Sequence, residues 1–121
     1  MQSATQAYGA VAKQIVNPRE LEADLLLKAA SRLQAIYDGW ERGKAGLDDA
    51  LLYNRKLWSI FLTSVTNAEH PLPGAVRQNI ANLGLFVMNQ TVMMLSNPKR
   101  EQLHSLISIN RELAAGLLGR A

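Results

Sequence analysis

Apolar residues recur at spacings of three and four along most of this chain, and no stretch alternates as a strand would. The clearest such stretch is Ala50–Thr66, ALLYNRKLWSIFLTSVT. On a wheel of about 100° per residue its apolar side chains cover an arc of roughly 200°. Ala50, Leu51, Tyr53, Leu57, Trp58, Ile60, Phe61, Leu62 and Val65 make up the arc, while Arg55, Lys56, Ser59, Thr63 and Thr66 share the other side with Leu52. An arc this wide predicts a helix surrounded by others. Asn54 falls within the arc, where a buried amide needs a partner.

Punctuation around this helix predicts the rest. Asn17-Pro18-Arg19-Glu20 reads as a helix start, with a cap, a proline at the first helical position and an acid reaching back. That helix runs over 18–40, burying Leu26, Ala29, Ala30, Leu33, Ile36, Tyr37 and Trp40. Gly39, Gly43 and Gly46 mark a connection, and Asp48 and Asp49 suit the positive end of the central helix over 48–66. His70-Pro71-Leu72-Pro73-Gly74 breaks the chain. A helix over 73–95 follows, with a main stripe of Val76, Ile80, Leu83, Val87 and Met94 and a second apolar set of Ala81, Leu85, Met88 and Val92. Gly84 in mid-helix costs about 1 kcal/mol relative to alanine, which predicts close approach of another backbone. Ser96-Asn97-Pro98 repeats the Asn-Pro start signal, and a last helix over 99–118 carries Leu103, Leu106, Ile107, Leu113, Ala114 and Leu117 around a central Asn110. Residues 3–15 predict a short helix with Tyr8, Val11, Ala12 and Ile15 on one stripe, either a packed cap or an arm over a groove. The expected fold is all-α: a small antiparallel bundle of four main helices plus this short N-terminal one, in a single domain.

Asn54-Arg55-Lys56-Leu57 and Asn110-Arg111-Glu112-Leu113 echo one another, each placing an amide at the centre of an apolar stripe with an arginine beside it. Either the two amides are buried and capped by backbone or by each other, or both line a polar notch at a binding groove.

With 121 residues, 48% hydrophobic and 19% charged, the chain can bury one core. It has no cysteine, so disulfides and thiolate metal sites are excluded. The net charge of +3 is concentrated late: residues 70–121 hold Arg77, Lys99, Arg100, Arg111 and Arg120 against Glu101 and Glu112. That bias is well short of a nucleic-acid stripe. Gln78–Pro98 carries no charge, but Asn79, Asn82, Asn89, Gln90 and Asn97 interrupt it, so a buried or interface helix is expected rather than a membrane span. The first residues show no secretory pattern, and a cytoplasmic location is expected. His70 and His104 stand alone, and there is no phosphate loop, nucleophile elbow or dinucleotide fingerprint. The chain reads as a non-enzyme with no metal or cofactor.

Several short motifs, in order, resemble the FlaF family of bacterial flagellar biosynthesis regulators. They are Ala7-Tyr8-Gly9, Pro18-Arg19-Glu20-Leu21-Glu22, Tyr53-Asn54-Arg55-Lys56-Leu57-Trp58, Asn79-Ile80-Ala81-Asn82-Leu83-Gly84, and Ile109-Asn110-Arg111-Glu112 with Ala115-Gly116-Leu117. The resemblance implies a protein needed for flagellin production and filament assembly, acting after transcription together with a partner regulator, FlbT, and binding flagellin to assist its export. It implies no catalytic residues.

Two partner surfaces compete. Arg55 and Lys56 with Ala81, Leu85, Met88 and Val92 would receive an amphipathic flagellin helix in an apolar groove. Alternatively Arg55, Lys56, Arg77, Lys99, Arg100 and Arg111 would contact a flagellin messenger, although exposed aromatics for base stacking are scarce. An adaptor binding only FlbT or itself is a third reading. The motif residues Tyr53, Asn54, Leu57, Trp58, Asn82, Gly84, Asn110 and Arg111 are expected to be mainly structural.

Overall fold

A computed structural model describes residues 18–120, so the expected helix over 3–15 and the Asn17 cap lie outside the described residues. The described chain forms α1 (Pro18–Asp38), a 3-10 turn (Trp40–Arg42), α2 (Leu47–Val65), α3 (Gly74–Ser96) and α4 (Arg100–Leu117), with no strand. It is an all-α helical bundle. Pro18 opens α1, where its missing N–H costs nothing. α1 ends at Asp38, and the connection to α2 turns at Gly43 and Gly46, whose φ of 117° and 86° lie in a region that glycine enters without strain.

Short connections make consecutive helices antiparallel neighbours, and cross-helix pairs set the register. The side chain of Asn110 reaches the carbonyl of Leu26 between α4 and α1, and Arg100 Nε donates to the carbonyl of Tyr37 at 3.1 Å one end further along. The Arg100 guanidinium also lies 4.2 Å over the Tyr37 ring. Between α3 and α2, Arg77 Nη1 donates to the carbonyls of Val65 (3.3 Å) and Asn67 (3.1 Å), and its Nε donates to Leu72 (3.1 Å). The bond to Val65 satisfies a carbonyl that the C-terminus of α2 leaves unpaired, and the other two hold the connection to α3.

The four helices are not equally engaged. α1 packs most closely on α4, and α2 on α3, whereas α3 and α4 barely meet. The core runs through Leu26, Leu33, Leu51, Trp58, Val87, Met94, Leu103 and Leu106, all fully buried.

Four sequence expectations change. Val76 and Leu83, read as part of the main stripe of α3, are exposed. The row that faces the bundle is Ile80, Gly84, Val87, Thr91 and Met94, a four-three-four-three spacing. Ile60 lies within the apolar arc of α2 yet is 61% exposed, because no described element covers that side. Gly84 admits a side chain rather than a backbone: a Cβ there would collide with Leu62 Cδ2 and Cγ. Finally, Asn97 closes α3 by donating its N–H to Met93, and Lys99 precedes α4, so the second Asn-Pro pair ends one helix instead of starting the next.

Candidate functional site

Two regions hold what the sequence singled out, and a third is a cleft that only the structure shows. The first is a polar cluster at the centre of the core. Asn110 Nδ2 donates to Asn54 Oδ1 at 2.7 Å and, at 3.4 Å, to the Leu26 carbonyl. Trp58 Nε1 donates to Asn110 Oδ1 at 2.9 Å. The cluster ties α1, α2 and α4 together, across the two tightly packed helix pairs. Both asparagines are fully buried, so the echoed motifs form an internal bridge and not a notch open to a ligand. Asn54 Nδ2 has no partner among the described residues. Trp58 packs against Phe61 with ring centroids 5.8 Å apart, while Tyr53 and Leu57 are half-buried. Arg32 rests 4.7 Å over the Tyr53 ring. Arg111, beside Asn110, faces solvent.

The second region is the outer surface of α3. On a helix whose buried row is Ile80–Met94, positions 81, 85, 88 and 92 form one shoulder, and 83, 86 and 93 the other. On the first shoulder Leu85 is 60% and Val92 56% exposed, while Ala81 and Met88 are half-buried, Met88 touching the core. On the second, Phe86 is 45% and Met93 55% exposed. The ridge between the shoulders is polar, with Gln78 Nε2 donating to Asn82 Oδ1 at 3.0 Å and Asn89 exposed further along. The second apolar set read from the sequence is therefore uncovered along its outer edge. Phe86 belongs to none of the stripes read from the sequence; its place three residues after Leu83 and seven before Met93 was the available signal. Arg55 and Lys56 are exposed on α2.

The third region is a cleft of about 610 Å³ at the end of the bundle where α1 begins, lined by Pro18, Arg19, Glu22, Ser64, His70, Leu72 and Leu117. A smaller depression of about 190 Å³ continues it between α1 and α2, sharing Glu22 and Ser64 and adding Leu25, Leu57, Ile60 and Phe61. Burial pushes the Glu22 carboxyl above its ordinary value, with His70 and Arg19 pulling the other way. Serine, histidine and glutamate together invite a triad reading, but His70 Nδ1 accepts the Leu72 N–H at 3.2 Å. A triad requires that nitrogen to carry the proton and donate it to a carboxylate. Among the described residues no three His, Cys, Asp or Glu side chains gather as a metal site, and no helix is long and apolar enough to cross a membrane.

Of the six cations considered for a messenger, Arg77 and Arg100 are committed to backbone carbonyls, and Arg55, Lys56, Lys99 and Arg111 are exposed. No curated protein and no solved structure matches the chain. The family described as Flagellar protein FlaF matches residues 4–117, nearly the whole chain. A match over nearly the whole chain shows that the chain belongs to the FlaF family.

Proposed function

We propose that this flagellar protein is a non-catalytic cytoplasmic factor that promotes flagellin production and filament assembly after transcription. It acts by binding flagellin as an export chaperone. The observation that carries this reading is the apolar surface of α3, where Leu85, Val92, Phe86 and Met93 face solvent on a helix that lacks a single charge between Arg77 and Ser96. Several large apolar side chains left in water along one helix mark an interaction surface. Unassembled flagellin supplies amphipathic terminal helices, and the shoulder of Ala81, Leu85, Met88 and Val92 suits docking of their apolar faces, with Arg55 and Lys56 exposed on α2. Methionines adapt such a surface to more than one register.

The test is a binding titration of purified flagellin against the native protein and the Leu85→Asp and Val92→Asp variants. Binding that resists a salt increase and drops at least tenfold in either variant supports the reading. Equal binding by all three proteins refutes it. A messenger interaction would instead weaken steeply with salt. Arg77 and Arg100, being tied to carbonyls, disfavour that alternative. Binding to FlbT in the absence of flagellin, with none to flagellin alone, would favour the adaptor.

A further inference from the structure

Docking of flagellin on Ala81, Leu85, Met88 and Val92 leaves the opposite shoulder of α3 uncovered. There Val76, Leu83, Phe86 and Met93 are exposed, with exposed Asn79 and half-buried Gln90 between them. These positions follow one another at three, four, three, four and three residues, the spacing of a coiled-coil seam. They run about 26 Å along the helix. Gln90 Nε2 donates to Ser105 Oγ at 3.5 Å, so the stripe borders the side where α3 and α4 barely meet. We infer that this stripe pairs with the same stripe of a second copy of the chain, antiparallel about a two-fold axis between Leu83 and Phe86.

The order of residues along the stripe selects that occupant. Under two-fold symmetry, residue i of one copy meets residue j of the other, and j meets i. Val76 then faces Met93 of the second copy, Leu83 faces Phe86, and Asn79 faces Gln90. Apolar side chains meet apolar ones throughout, and amide meets amide. Sliding one copy by seven residues sets Asn79 against Leu83, or in the other direction Gln90 against Phe86. Either slip buries an amide against an apolar side chain, which is costly, so the amides fix the register. No charged side chain lies on the stripe, and two identical surfaces therefore meet without like-charge repulsion. A parallel pairing would also match like with like, but it aligns the two helix dipoles and brings both copies of Lys99 to one end. The antiparallel arrangement opposes the dipoles and separates the lysines.

The test uses the full chain alone, without flagellin. In light scattering the mass should rise from monomer to dimer as the protein is concentrated to roughly 100 μM, the behaviour of a small interface. Phe86→Asp should stay monomeric under those conditions, whereas Leu85→Asp, on the other shoulder, should dimerise as the native chain does. A native chain that stays monomeric, or a dimer lost in Leu85→Asp and kept in Phe86→Asp, would overturn the inference. The cysteine-free sequence allows a second measurement that does not depend on how Phe86→Asp folds. Facing positions bring Cβ atoms within reach of a disulfide. Mixed Val76→Cys and Met93→Cys chains should therefore cross-link about tenfold faster than either chain alone. Equal rates, or fastest linking of Val76→Cys to itself, would refute the antiparallel pairing. Flagellin takes part in neither measurement, so failure here leaves the chaperone proposal standing, and the reverse also holds.

Discussion

Helices α2 and α3 are both rich in apolar residues, and they spend them differently. α2 packs against both α1 and α3: its row of Leu51, Asn54, Trp58, Phe61 and Val65 is buried, and its one central amide is answered by Asn110 from α4. α3 lies mainly against α2 and scarcely touches α4, so only one narrow row is buried and both shoulders are left to solvent. The width of an apolar arc therefore does not say how much of it is covered. Number of neighbours does. α2 is built for internal cohesion, and α3 has surface to offer.

Breaking the cohesive side should cost most. Asn110→Ala removes the acceptor for Trp58 and the donor for Asn54 where both are fully buried, and should destabilise the fold by about 3 kcal/mol in denaturant unfolding. Asn54→Leu deletes an amide whose Nδ2 already lacks a partner, leaving Asn110 its bond to Leu26. It should cost only about 1 kcal/mol by the same measurement. An equal loss in both variants would show that Asn110 is not the hub of the cluster. At the seam between the two helices, Gly84→Ala should cost about 1–2 kcal/mol through collision with Leu62, despite the gain in helix propensity. Combining it with Leu62→Ala should yield less than the summed losses, measurable as a double-mutant cycle.

On the open side, Leu85→Asp and Val92→Asp should each change unfolding free energy by less than about 1 kcal/mol, since these side chains are mostly in water already. Cooperative unfolding lost in either variant would make the shoulder core and remove the basis for a partner surface there. The smallest expected effect concerns Glu22. Its carboxyl titrates above the ordinary 4.5 because burial penalises the charge. The native state thus binds the proton more tightly than the unfolded chain. Stability from this group is present below pH 4.5 and is lost as pH rises through the elevated value. Glu22→Gln should therefore raise the melting temperature at pH 7 and make little difference at pH 4. Equal shifts at both pH values would rule out titration as the cause.

Helix positions, their order and the two breaks were legible in the sequence because periodicity, Pro18, the paired prolines at 71 and 73, and the glycines of the first connection act locally. The candidate surface was legible in part. Leu85 and Val92 stood out as a second stripe but Phe86 did not, and Val76, in the first turn of the buried row, and Leu83, at its edge, are exposed where burial was expected. Which of two apolar rows on one helix is buried depends on where its neighbours lie, and that is not a property of the helix. The Asn54–Asn110 echo showed the same limit. Sequence placed both amides on apolar stripes and left open whether they met or lined a notch. Their 2.7 Å hydrogen bond joins residues 56 apart in the chain, a pairing set only when α2 and α4 pack diagonally across the core. The cleft beside Glu22 had no signal at all, since it is assembled from α1, α2, the 70–72 turn and the end of α4.

The sequence by itself thus determined an all-α chain, the extent of its helices and its membership of the FlaF family, because each rests on short-range spacing or on motifs read in order. Only the tertiary structure decided that the two asparagines lock the core, that Gly84 makes room for Leu62, and that α3 keeps two apolar shoulders in water. These follow from which helix faces meet, and that is settled by all four helices burying their surfaces together.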